Sequence, residues 1–205
     1  MNLPNKLTIF RMILVPIFVI IAYLPIDNFV FGFSIKFLIL DFIFIIASIT
    51  DHLDGHIARK TNQVTTFGKF LDPIADKVLV LSSLVIMCEF NLVPAWIPVV
   101  VLTREFLVSG FRLVAAEKGT VISASIWGKI KTATTMLAII LILLSGYKIG
   151  AFMGCLIEGK NNAMYCMSTG FAIINGFGTI LMLIAVVATI FSGWDYLKGG
   201  KDLLK

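Results

Sequence analysis

Four aspartates stand around one short polar loop in an otherwise apolar stretch of the chain. Asp51 and Asp54 are three residues apart and Asp72 and Asp76 four apart, so within helices each pair shares a face. Asp54 lies six residues before Lys60, and Asp72 six after Thr66. At about 1.5 Å per residue both sit roughly 9 Å from the polar turn, and the two pairs can face each other at equal depth. Four carboxylates converging in a low-dielectric site repel one another unless cations are bound between them or some are protonated. Two divalent cations would balance the charge, and an all-oxygen ligand set favours Mg²⁺ or Mn²⁺ over zinc. A pair of such ions can clamp a phosphoryl group between nucleophile and leaving group. Two other readings of the same residues remain open. Arg59, Lys69 and Lys77 could neutralise the aspartates in an ion-paired helix hairpin, or the acids could mark a proton or cation pathway.

Two glycines lie beside the carboxylates. Gly55 follows Asp54, and Gly68 stands one helical turn before Asp72. Glycine inside a helix costs about 1 kcal/mol relative to alanine, so its use here is steric, opening room for a ligand or for a neighbouring helix. A second polar set, Asn5, Thr8 and Arg11, recurs every three residues near the N-terminus. A third is basic: Arg104, Arg112, Lys118, Lys129 and Lys131, with Glu105 among them. Positive-inside anchoring accounts for Lys118 and Lys129. Arg104 falls well inside an apolar run and needs a partner, either Glu105 or a carboxylate of the aspartate site.

The elements that must position these residues are membrane helices. Of 205 residues, 59% are hydrophobic and 14% charged, and the mean hydropathy is +0.98, against about 25% charged in an average soluble domain. A soluble globular fold is excluded, as are disorder, a coiled coil and a disulfide framework. Three cysteines in or beside apolar segments match no metal spacing and read as small buried hydrophobes. Apolar runs of about 20 residues predict an all-α polytopic membrane protein with six transmembrane helices near 9–26, 37–58, 69–90, 93–115, 131–151 and 170–194. Residues 1–205 form one such domain, without internal repeat or linker. The first span is the weakest, with Pro16 and Pro25 inside it. The polar stretch before it is expected to form a short interfacial helix starting after Pro4. It leads into the span without a cleavage site and is not a removable signal peptide.

An even number of spans puts both termini on one side. Fourteen of the seventeen Lys and Arg residues fall on that side, the exceptions being Lys36, Lys148 and Lys160. By the positive-inside rule both termini and the aspartate cluster face the cytoplasm of a cytoplasmic-membrane protein. The net charge of +5, concentrated at the ends of apolar segments, points to anionic lipid or anionic substrate and not to nucleic acid.

Residues 51–76 spell Asp-x-x-Asp-Gly-x-x-Ala-Arg, eight residues, then Gly-x-x-x-Asp-x-x-x-Asp. This resembles the signature of the CDP-alcohol phosphatidyltransferase family, with no motif position departing from it. The resemblance implies a six-helix membrane enzyme that transfers a phosphatidyl group from a CDP-linked lipid to an alcohol and releases CMP. It implies that Asp51, Asp54 and Asp72 ligate a two-metal centre of Mg²⁺ or Mn²⁺, and that Asp76 is ligand, general base or both. As base, Asp76 gains from lying one turn deeper than Asp72, where partial desolvation improves it as a proton acceptor. Arg59 can fork onto phosphate oxygens. With Asp51, Gly55 and Gly68 it belongs to the implied CDP-lipid site, beside which Asn5 and Thr8 lie. Leu3-Pro4-Asn5-x-Leu7-Thr8, Thr103-Arg104-Glu105-Phe106 and Gly128-Lys129-Ile130-Lys131-Thr132 are similar to segments of the bacterial branch that forms phosphatidylglycerophosphate. That similarity implies CDP-diacylglycerol as donor and glycerol 3-phosphate as acceptor, with Arg104, Arg112 and Lys131 on the acceptor phosphate. It also implies a homodimer in the lipid bilayer. Inositol phosphate, serine or phosphatidylglycerol are the alternative acceptors, and a cation or proton transporter is the alternative from another class. The outer loop 152–168 and the last span carry no signal beyond membrane packing.

Overall fold

The computed structural model describes residues 3–26, 28–61, 66–117, 125–153 and 169–199. Side chains are described for 7–26, 28–51, 74, 75, 77–115, 125–153 and 170–198. Six long helices account for most of this: α1 (Leu3–Tyr23), α2 (Ile35–Thr61), α3 (Thr66–Glu89), α4 (Trp96–Glu117), α5 (Ile126–Ser145) and α6 (Thr169–Gly199). Each of the six predicted apolar runs overlaps one of them.

The ends differ from the hydropathy reading for local reasons. Helix α1 starts at Leu3 and runs unbroken through Pro16, so the expected interfacial helix is the first turns of α1 and not a separate element. Pro4 suits a helix start because its missing N–H is not needed there, and the helix stops two residues short of Pro25. Helix α5 is shifted from 131–151 to Ile126–Ser145, because Gly146 takes the left-handed conformation (φ 68°) and its N–H caps the carbonyls of Ile142 and Leu143 at 3.0 and 3.1 Å. Lys129 and Lys131 therefore belong to the first two turns of α5 and not to the loop before it. Helix α3 ends similarly on Asn91 (φ 55°), whose N–H donates to the Cys88 carbonyl at 2.9 Å. Between α1 and α2 lies a short antiparallel hairpin that the apolar pattern does not predict, β1 (Phe29–Val30) with β2 (Phe33–Ser34). Its two-residue turn, Phe31 and Gly32, has positive φ at both positions (51° and 85°), matching the twist of a tight hairpin.

The centre of the bundle is apolar. Phe18, Leu40, Phe44, Leu84, Met87, Ile97, Ile139, Ile142, Leu143 and Met182, one or more from each helix, are completely or almost completely buried. Helix α6 shows which solvent the exterior is built for. Its exposed side carries Ile173, Phe177, Ile180, Leu183, Ile184, Val187, Ile190, Phe191 and Trp194, while its buried side carries Asn175, Thr179, Thr189 and Ser192. An apolar outside around a more polar inside is the pattern of a helix surrounded by lipid, where buried polar groups join helices together. Segments 126–145 and 170–198 are long and apolar enough to cross a bilayer.

Helices α5 and α6 pack closely along much of their length. Asn175, fully buried, donates from Nδ2 to the carbonyls of Tyr147 and Lys148, both at 3.2 Å, and accepts the Phe152 N–H at 3.3 Å. The chain leaving α5 is thereby tied to α6, its backbone groups satisfied by the Asn175 side chain. Lower down, a Cβ built on Gly178 would stand 3.1 Å from Leu141 Cβ and 3.0 Å from the Ile142 side chain. The missing side chain lets the two backbones approach.

Replacing Gly178 by alanine is expected to separate α5 from α6 and to lower stability by about 1–3 kcal/mol. Gly176→Ala adds only ordinary contact with Phe152 at 3.6 Å and serves as the control. Thermal unfolding of the two variants in detergent checks this; equal melting temperatures would contradict the close-packing argument.

Candidate active site

Helices α2 to α6 enclose a cavity of about 900 Å³. Among the described residues its wall includes Ser48 and Asp51 from α2, Lys77 from α3, Arg104, Glu105, Ser109 and Arg112 from α4, Gly128, Lys129 and Lys131 from α5, and Tyr196 from α6. Five cations and two carboxylates are among these lining residues. The chamber is therefore electropositive away from its aspartate wall, which suits an anionic ligand.

On the aspartate wall, Asp51 is a third exposed, while the guanidinium that holds it is almost completely buried: Arg11 Nη1 lies 2.6 Å from Asp51 Oδ1. Helix α1 packs against α2 and α3, so the pair fixes the carboxylate from outside the cavity and leaves its other side open to it. Thr8, one turn before Arg11, is also buried, but it is not part of the cavity wall. Ser48, one turn before Asp51, turns a buried Oγ with no hydrogen-bond partner among the described residues. A carboxylate and a hydroxyl at one wall are hard oxygen donors, and they fit a divalent cation of the Mg²⁺ type. The backbones of Asp54, Gly55 and Arg59 lie in α2 and those of Gly68, Asp72 and Asp76 in α3. The side chains of these residues, and that of Asn5, lie outside the described residues.

The opposite wall is a charge network. Glu105 Oε1 accepts from Arg104 Nη1 at 2.9 Å and from Lys131 Nζ at 2.5 Å. The partner expected for Arg104 is therefore its own neighbour, and the same carboxylate also binds Lys131 across the α4–α5 contact. Arg104 continues to Ser192 Oγ of α6 through Nη2. It can lie there because α5 has glycine at the crossing, where a Cβ on Gly128 would stand 3.1 Å from that nitrogen. Arg112 Nη2 donates to the Tyr196 hydroxyl at 2.6 Å. Lys77 Nζ donates to Ser109 Oγ and links α3 to α4. Glu105 pairs with Arg104 and Lys131; with Arg112 these four side chains carry two net positive charges, which suits a phosphate dianion.

The structure thus brings Arg104, Arg112 and Lys131, expected together from sequence, onto one wall and sets Asp51 on another wall of the same chamber. Sequence reading missed the Arg11–Asp51 pair, Lys77 with Ser109, and the contribution of α6 through Ser192 and Tyr196. Ser192 and Tyr196 are four residues apart, so two polar groups on one helix face at the end of an apolar run were a readable signal.

The chain matches the CDP-alcohol phosphatidyltransferase family over residues 1–191. It is similar to curated relatives named CDP-diacylglycerol–glycerol-3-phosphate 3-phosphatidyltransferase. That of Bacillus subtilis (strain 168) is 41% identical, with 100% of this chain and 97% of the relative covered. That of Haemophilus influenzae (strain ATCC 51907 / DSM 11121 / KW20 / Rd) is 39% identical, covering 99% and 95%. That of Rickettsia typhi (strain ATCC VR-144 / Wilmington) is 34% identical, covering 98% and 97%.

Removing one partner of the Arg11–Asp51 pair leaves the other charge unsatisfied. Arg11→Leu is expected to cost about 2–4 kcal/mol of stability, less than a fully buried pair because Asp51 is partly open. Adding Asp51→Asn should restore part of that loss. A double-mutant cycle by thermal unfolding reads the coupling, and strict additivity would show that the pair does not hold α1 to α2.

Proposed function

Because the chain belongs to the CDP-alcohol phosphatidyltransferase family, we propose that it transfers the phosphatidyl group of CDP-diacylglycerol to glycerol 3-phosphate, giving phosphatidylglycerophosphate and CMP. The observation that carries this reading is the shared cavity, with Asp51 on one wall and Arg104, Arg112 and Lys131 on another. A donor phosphate and an acceptor phosphate can be held there at once, apart from each other. Full-length relatives bearing that enzyme name support the same reading, and they disfavour a cation or proton transporter.

Enzymes of this family generally depend on a divalent metal. Asp51, Asp54, Asp72 and Asp76 would hold two Mg²⁺ or Mn²⁺ ions, which would supply charge neutralisation on the diphosphate. The chain's own residues do the rest. Arg59 forks onto donor phosphate oxygens, Asn5 stands beside the nucleotide, and Gly55 and Gly68 keep the helix surfaces low enough for the diphosphate to approach. Arg104, Arg112 and Lys131 hold the acceptor phosphate, leaving its free hydroxyl to reach the donor. Asp76 takes the hydroxyl proton as the new oxygen–phosphorus bond forms and the bond to CMP breaks. Positioning two anions in one cavity is most of the catalytic task.

The domain spans residues 1–205 as six transmembrane helices. Both termini and the cavity mouth face the cytoplasm of the cytoplasmic membrane, following the lysine and arginine asymmetry, and two copies assemble in the bilayer.

Membranes holding the protein are expected to release CMP from CDP-diacylglycerol when divalent metal and glycerol 3-phosphate are supplied. Release with serine, inositol phosphate or phosphatidylglycerol, and none with glycerol 3-phosphate, would keep the family and overturn the acceptor. Asp76→Asn keeps size and removes basicity, so turnover should fall by about 100-fold or more while CDP-diacylglycerol binding persists. Near-normal turnover in that variant would remove Asp76 from the proton-accepting role.

A further inference from the structure

The cytoplasmic end of α6 reaches into the cavity at Tyr196, and no motif in the sequence accounts for it. Tyr196 is buried, with 5% of its surface exposed. Its ring centroid lies 5.9 Å from the guanidinium carbon of Arg104 and 5.5 Å from that of Arg112. Both distances fall within cation–π range. Its hydroxyl accepts the 2.6 Å hydrogen bond from Arg112 Nη2. One turn earlier on the same helix, Ser192 accepts from Arg104.

We infer that Tyr196 is a positioning residue for the acceptor phosphate: its ring and hydroxyl hold Arg104 and Arg112 as a preformed pair of guanidinium groups facing the cavity. Arg104 and Arg112 are eight residues apart on α4, which is roughly 12 Å of helix, so their own helix does not bring their heads together. Tyr196 contacts both.

The chemistry of the clamp matters as much as its geometry. A carboxylate in this place would fix the arginines and cancel more of their charge, as Glu105 already does in part for Arg104 and Lys131. A phenol fixes them without supplying a countercharge, so the guanidinium groups stay available to a dianion. Arginine side chains lose rotamer freedom when they are immobilised. A clamp that imposes this loss before the substrate arrives shows in acceptor affinity and not in the chemical step.

The inference rests on the acceptor reading given above, and the test separates the two. Steady-state CMP release is measured in detergent or reconstituted vesicles for the unmodified enzyme, Tyr196→Phe, Tyr196→Leu and Arg112→Ala, varying glycerol 3-phosphate and CDP-diacylglycerol separately. Tyr196→Phe keeps the ring and loses the hydroxyl, and the KM for glycerol 3-phosphate should rise about 5-fold. Tyr196→Leu loses both contacts and should raise it about 30-fold. The KM for CDP-diacylglycerol and the kcat at saturating acceptor should stay within about 3-fold of the unmodified enzyme. In the Arg112→Ala background, Tyr196→Phe should have no further effect, since the hydroxyl acts through that guanidinium. A residue needed only for packing would depress kcat and both KM values together and would not show this non-additivity. If Tyr196→Leu fails to fold, Tyr196→Phe decides, and an unchanged acceptor KM there overturns the inference. No turnover with glycerol 3-phosphate by the unmodified enzyme overturns the acceptor assignment, and the inference with it.

Discussion

A charged side chain in an apolar helix bundle costs several kcal/mol unless a partner or water compensates it, and the interior arrangement of this protein follows from that constraint. The described charges of the cavity are not scattered. Asp51 is met by Arg11, Arg104 and Lys131 share Glu105, and Arg112 rests on Tyr196. Each connection also joins two helices, except that of Arg104 with its neighbour Glu105. The polar groups that make the site useful therefore also hold the bundle around it. In lipid, where apolar burial no longer drives helices together, interhelical polar contacts and close packing of small residues take over that role.

The same constraint explains the asymmetry of the two cavity walls. Among the described residues, Asp51 of α2 supplies the carboxylate of one wall, beside the Ser48 hydroxyl. Cations gather on α4 and α5, where, among the described residues, Glu105 pairs with Arg104 and Lys131. The described cations of the cavity outnumber its described carboxylates, a balance that suits an anionic ligand.

Helix α6 has a double character. Along most of its length the outer surface is plain apolar cover, and Gly178 and Asn175 dock it against α5 and the chain that follows. At its C-terminal end it becomes part of the site, through Ser192 and Tyr196. A polar connection on the buried face of an otherwise apolar helix is how a span with an unremarkable composition can contribute chemistry.

Sequence by itself determined the helical membrane class, the six apolar runs, and the residues of the aspartate motif. Each depends on local properties: run length, residue type and helical spacing fix which groups share a face. It also brought Arg104, Arg112 and Lys131 together as a basic set, because charges in apolar runs stand out one by one. Helix ends were less legible. The stop of α5 depends on the left-handed turn at Gly146, and the start of α1 on the tolerance of a first turn for Pro4, neither of which an apolar average registers. Only the tertiary structure decided the partners. That Asp51 is held by Arg11, that one oxygen of Glu105 serves two cations, and that Tyr196 contacts two arginines eight residues apart on α4 are relations between different helices. They arise from how helices cross, and no periodicity within a single helix encodes the crossing.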